Sequence, residues 1–331
     1  MKKKFKFLAC ALLLVFILPC MFLLTGCGGS SYTKISSKEY AKLLFDSGTK
    51  YYETHNGYAE FGNMTISTTF HITEEAEEEV EYKKNASDTE YVTENFTVKV
   101  VGTSEETITI YNVGEGDDAE LYAQVTTISN FVTTGYRASE TDETLEAYTE
   151  TTTENSTYTF VKDGEEYRWY GVSTEKVDDE ETVEKQYFTY ATSDDYENDV
   201  SRLLYDINDS IINIAFYSGN DIELGMTDYY STYYQDGKKF RSIIEFATTT
   251  FVFDAPLYTY LKMDSRFADN MPNQVESNME YWEDSVKIQE TAKTTISYTA
   301  NTVSKPADTT GYELATSAPV VSIFGLGIGG Q

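Results

Sequence analysis

The chain has 331 residues, 25 of them basic and 55 acidic, for a formal net charge of −30. That balance excludes nucleic acid as a partner, because phosphate recognition needs clustered Lys and Arg to displace counterions. It also disfavours a body lying flat on anionic headgroups, and the three cysteines leave no disulfide framework to replace a packed core.

The chain opens Met1-Lys2-Lys3-Lys4-Phe5-Lys6, followed by an apolar run through Leu24. A basic start, an apolar middle and small residues before a cut make a secretory signal. The run is long enough to stay as a transmembrane helix, but Pro19 and the exit Leu24-Thr25-Gly26-Cys27 favour processing. That exit resembles the lipobox of bacterial lipoproteins. The resemblance implies cleavage between Gly26 and Cys27 and a diacylglyceryl group on the Cys27 sulfur. Cys10 and Cys20 would leave with the leader. Each buried methylene contributes about 0.8 kcal/mol, so two acyl chains give on the order of 20 kcal/mol of membrane retention. Residues 1–26 thus read as a signal peptide and 27–35 as a lipidated cysteine with a flexible tether, beginning Gly28-Gly29-Ser30-Ser31.

Residues 36–304 read as one β-rich domain. Ser36 and Glu39 form a capping box, and Tyr40, Leu43, Leu44 and Tyr51 share a helical face, which predicts a helix near 37–52. The period then falls from 3.6 to 2. Phe61–Ile72 reads as a strand, Glu74–Glu81 as a solvated hairpin region, and Tyr91–Val101, Thr107–Val113 and Leu121–Val132 as further strands. Leu145–Thr153 extends the meander. Tyr158–Lys162 and Tyr167–Tyr170 flank Asp163-Gly164, which suits a type I′ hairpin, and Val183–Tyr190 follows. Val200, Leu203, Leu204, Ile207, Ile211, Ile214 and Ala215 then fall at helical spacing, predicting an aliphatic-faced helix near 196–218 that Gly219 ends. Strands resume at Met226–Tyr234, Phe240–Ala247, Thr249–Phe253 and Leu257–Met263. Ser265–Asp284 reads as irregular or partly helical, Val286–Ala300 as a last strand, and 305–331 as a tail with a glycine-rich apolar end.

Chemistry is sparse. His55 and His71 have no Cys or His companions for zinc, and neither neighbours a Gly-x-Ser-x-Gly elbow, which is absent. No phosphate loop is present, and with so many carboxylates no pair stands out as a glycosidase couple. Glu115, Asp117 and Asp118, or Asp178 to Glu181, could offer oxygens to calcium, but EF-hand spacing is missing. No catalytic residue, metal or cofactor is therefore assigned. Trp169, Trp282, Tyr167, Tyr229, Tyr233 and Phe240 could line an apolar pocket between sheet and helix, or simply pack.

The fold class expected is mainly β (α+β): a curved antiparallel sheet on an N-terminal and a central helix. This element order resembles the half-barrel lipid-carrier fold of the LolA/LolB family. The resemblance implies an apolar cavity, for which Trp169, Tyr167, Leu203, Ile207, Ile211 and Phe240 are the pocket candidates. The function expected is a membrane-anchored, extracytoplasmic, non-catalytic lipoprotein binding a lipid or other apolar ligand. The alternative is a structural or adhesive surface lipoprotein that binds a protein or glycan. A filled core with an exposed aromatic patch would favour the alternative.

Overall fold

The computed structural model describes residues 32–54, 63–113, 120–215, 228–252, 255–283 and 286–318. Gly26, Cys27, His55, the Glu115–Asp118 acids, Gly219 and the glycine-rich end lie outside them. The elements, in order, are β1 (Thr33–Ile35), α1 (Ser37–Thr54), β2 (Met64–Tyr82), β3 (Val92–Val113), β4 (Glu120–Ala138), β5 (Leu145–Asp163), β6 (Glu166–Val177), β7 (Glu180–Thr189), α2 (Ser193–Ala215), β8 (Asp228–Asp236), β9 (Lys239–Val252), β10 (Ala255–Ala268), β11 (Met271–Glu283), β12 (Val286–Ser297) and β13 (Glu313–Leu314). All thirteen strands make one curved, open sheet ordered β1-β8-β9-β10-β11-β12-β2-β3-β4-β5-β6-β7-β13. Two meanders, β2 to β7 and β8 to β12, fuse where β12 pairs antiparallel with β2.

Local chemistry sets the boundaries. Ser36 Oγ accepts from the Glu39 amide at 3.2 Å, and Glu39 Oε2 accepts from the Ser36 amide at 2.8 Å, closing the capping box. At the start of α2, Thr192 Oγ1 caps the Asp195 amide at 3.2 Å. The β5–β6 turn is Gly164-Glu165, one residue later than the sequence suggests, because Asp163 pairs with Glu166, and the β8–β9 turn is Gly237-Lys238, between the paired Asp236 and Lys239. Only the first central residue is left-handed (Gly164 φ 70°, Gly237 φ 58°), the pattern of a type II′ rather than a type I′ turn.

Three readings need correction. Glu74–Glu81 is not a hairpin region but the end of β2, paired residue by residue with Asn95–Val100 and neighbours on β3. The pairs predicted as Tyr91–Val101 with Thr107–Val113, Leu145–Thr153 with Tyr158–Lys162, and Phe240–Ala247 with Thr249–Phe253 are single strands β3, β5 and β9. Ser265–Asp284 is not irregular. It completes β10, turns at Asp269-Asn270 (φ 51° and 59°, a type I′ pattern) and returns as β11. Pro272 is tolerated in β11 because the register shifts beside it, between Arg266 and Phe267. Residues 301–318, read partly as a tail, pack against the outer side of the β5–β7 end. Val303 is buried with Val161 and Tyr170, Lys305 pairs with Asp163 at 2.6 Å, and β13 adds parallel to β7.

Both helices lie on the inner face. At about 1.5 Å per helical residue and 3.3 Å per strand residue, α2 spans roughly 35 Å and β3 roughly 70 Å. The long strands therefore overrun their cover, and one core forms beneath the helices. Ile207, Ile211, Val200 and Tyr196 of α2 meet Met64, Ile66, Ile108, Ile110, Phe160 and Trp169 of the sheet there. Tyr40 of α1 stacks on Tyr233 at 4.3 Å and meets Phe240 edge-on at 5.9 Å. Ile207→Ala, which empties a fully buried site, is expected to lower the unfolding free energy by about 2–5 kcal/mol. A lower urea midpoint at unchanged m-value would check it.

Candidate functional site

Side-chain alternation divides the sheet into an inner and an outer face, and the register fixes what shares each row. Under the helices the inner rows are apolar: Met64, Ile110, Ala123, Phe160 and Trp169 form one, and Ile66, Ile108, Val125 and Tyr158 the next. The following row turns polar across eight of nine strands: Ser242, Ser265, Val275, Thr294, Thr68, Glu106, Thr127, Ser156 and Ser173. Thr68 and Thr294 hydroxyls share a hydrogen bond at 3.1 Å, and Ser104 and Ser129 do so at 2.8 Å one row on. Glu106, at 2% exposure, sits in the middle of this belt. Two rows beyond the belt, burial holds the Glu290 carboxyl above its ordinary pKa.

The six pocket candidates share the single core. Trp169, Leu203, Ile207, Ile211 and Phe240 are all at most 5% exposed, and Tyr167 packs against the cluster with its ring 4.7 Å from Tyr196. Tyr233 is also in the core, whereas Trp282 alternates to the outer face and is 39% exposed. The two tryptophans therefore face opposite sides of the sheet. The Tyr229 side chain lies outside the description. Of the acidic tip, Asp178 opens the β6–β7 turn with φ 50° and ties it to β5, exchanging two hydrogen bonds with the Thr151 backbone. Among the described residues no helix is long and apolar enough to cross a membrane.

The outer face is where polar groups converge. Across β12, β2, β3, β4 and β5, Thr295, Ser67, Thr107, Thr126 and Thr157 lie in register, and a second row holds Thr291, His71, Thr103, Asn130 and Thr153. Ser67 and Thr107 hydroxyls are 3.4 Å apart, Thr153 Oγ1 donates to Asn130 Oδ1 at 3.1 Å, and Gln124 donates to Thr159 at 3.1 Å. Adjacent strands stand about 4.8 Å apart, so these groups repeat at that interval. Val101 (45% exposed) and Val132 (39%) pair across β3 and β4, with Ile128 (43%) on the same face. A cleft of about 440 Å³ borders this lattice, lined by Thr69, His71, Lys262, Asp264, Glu276 and Lys293. A second of about 450 Å³ holds Trp282 with Glu75, Glu77, Thr97 and Lys287.

Ion pairs stiffen this margin. Arg241 grips Asp264 with two bonds of 2.6 Å, and Arg266 donates to the same carboxylate at 2.9 Å. Burial pushes the Asp264 pKa up, but the hydrogen bonds and charges of Arg241 and Arg266 outweigh it, leaving the carboxyl below its ordinary range. Sequence reasoning missed this lattice and network. Alternate Thr and Ser in each strand were the only signal, and the rows exist only once five strands are in register.

No family model and no curated protein matches the chain. A solved structure, the translocator domain of autotransporter NalP from Neisseria meningitidis, is similar at 6% identity and a TM-score of 0.19, covering 78% of this chain and 97% of that one. A likeness that low carries no argument.

Asp264 and Glu290, two carboxyls shifted in opposite directions, predict opposite pH behaviour. With its folded pKa depressed, Asp264 contributes stability above its unfolded pKa of roughly 4, which is lost as pH falls through the folded value. Asp264→Asn should therefore cost about 1–3 kcal/mol at neutral pH and progressively less in acid. Glu290, with its folded pKa raised, favours the fold below its unfolded pKa and loses that contribution as pH rises through the folded value. Glu290→Gln should stabilise at neutral pH with no gain in acid. Urea titrations across the acid range would read both signs.

Proposed function

We propose that the protein is a non-catalytic, extracytoplasmic lipoprotein held at the membrane by Cys27, and that it binds a macromolecular partner, glycan or protein, through the outer face of β12 to β5. The observation that carries this reading is the division of labour between the faces. The inner aliphatic and aromatic side chains, including the pocket candidates, are spent on the core. The outer face offers in-register hydroxyls and amides around an exposed aliphatic patch. Paired donors and acceptors beside apolar groups suit the edge and face of a sugar ring, or an extended peptide. The net charge of −30 keeps such a surface dispersed and disfavours polyanionic partners.

The chain lacking its leader, immobilised over arrays of cell-envelope glycans and purified envelope proteins, should retain a defined partner. Val132→Arg and Asn130→Arg, both at exposed positions, should weaken retention at least tenfold, roughly 1.4 kcal/mol, with the urea midpoint unchanged. Native mass spectrometry supplies the opposing outcome. A stoichiometric co-purified lipid, with retention indifferent to both substitutions, would overturn this reading in favour of an apolar-ligand carrier.

A further inference from the structure

We infer that the solvent-facing stripe of α1 is a membrane-contact face, which docks the anchored body onto the lipid bilayer. The inference rests on the lipobox reading of Cys27. The helix buries Tyr40, Ser47 and Tyr51 against the sheet and points Lys38, Lys42, Phe45, Thr49 and Tyr52 the opposite way at 3.6-residue spacing, with Asp46 and Glu53 exposed along one edge of that stripe. Phe45 is 74% exposed and Tyr52 is 52% exposed. Phe45 is the most exposed large hydrophobic of the described residues and stands one turn from Lys42, an arrangement that water leaves unrewarded. A bilayer interface rewards it: the rings enter the headgroup region and the lysine stems lie along it with their ammonium groups in water.

Charge is compatible with the same face. The segment from Thr33 to Thr54 sets Lys34, Lys38, Lys42 and Lys50 against Glu39, Asp46 and Glu53, near neutrality in a chain of net charge −30. Geometry forces the choice. β1 pairs with β8 from Thr33 onward, so the anchor joins the folded body only six residues after Cys27. At no more than 3.3–3.6 Å per residue, that is a reach of roughly 20 Å. A strongly acidic body held that close to an anionic surface turns its least acidic face toward it. The near-neutral face beside the tether is α1, which begins two residues after β1. Docked there, the helices face the lipid and the outer sheet face points away from it.

The test uses the full acylated chain in vesicles of phosphatidylcholine and phosphatidylglycerol. With Cys27 acylated, the mature chain has no free thiol, so Ala41→Cys on the stripe and Thr295→Cys on the outer face each take one fluorescent label. Quenching by a headgroup-borne quencher should be at least threefold stronger at position 41 than at 295. Phe45→Ser with Tyr52→Ser, or Lys38→Glu with Lys42→Glu, should equalise the two sites while the chain stays on the vesicles. Equal quenching in the parent chain overturns the docking and leaves the anchor standing. A chain whose Cys27 itself takes up label and which washes off the vesicles overturns both.

Discussion

One requirement organises the molecule: the aliphatic face of α2 must be hidden from water. Leu203, Leu204, Ile207 and Ile211 each lie at or below 5% exposure. Burying such a side chain contributes about 1.5–3 kcal/mol. A single helix cannot cover itself, and the sheet cannot cover its own inner face. The two meanders that flank α2 in sequence supply the cover by fusing at β12 and β2 into one curved surface. With no disulfide available to the described residues, that fused core is what closes the fold.

The same requirement explains where legibility stops. Tyr40, Ser36 and Glu39, and the run from Val200 to Ala215, declare their elements because they satisfy local rules: a cap, an amphipathic stripe, a covered face. The strands were legible where apolar residues alternate along one side, as in Tyr91–Val101. From Glu77 to Glu79 neither face is covered, so Glu78 on the inner side and Glu77 on the outer are both exposed and alternation vanishes. The strand continues because its partner β3 continues, which is information held elsewhere in the chain. The Asp269-Asn270 turn lacks glycine, and Asp and Asn reach left-handed φ through their short polar side chains. That turn, next to Pro272, reads locally as disorder in the pattern and structurally as a tight hairpin.

The candidate site was illegible for a related reason. A row such as Thr295, Ser67, Thr107, Thr126, Thr157 draws one residue from each of five strands scattered over most of the chain. A one-residue slip in any strand would carry its threonine to the core face, so the lattice depends on the register that the apolar rows enforce beneath α2. The inner belt around Glu106 marks the edge of that enforcement. On its helix side the side chains are apolar. In the belt Thr68 pairs its hydroxyl with Thr294, and one row on Ser104 pairs with Ser129, while the buried Ser242 and Ser265 hydroxyls have no hydrogen-bond partner among the described residues.

Packing and placement thus constrain each other. Every large apolar side chain committed to the inner face is withdrawn from ligand binding, and what remains available is the outer lattice and the backs of the helices. These two surfaces lie on opposite sides of the sheet, because α1 and α2 both cover the inner face. A partner engaging the outer strands and a lipid surface touching α1 would therefore not compete. With Cys27 as the proposed anchor, the short span to Thr33 would convert that separation into direction, since a body tethered beside β1 could rotate only within about the reach of six residues. On that proposal the anchor's position in the sequence would itself be a structural determinant: moving it away from the edge strand would keep the acyl chains in the membrane and lose the orientation.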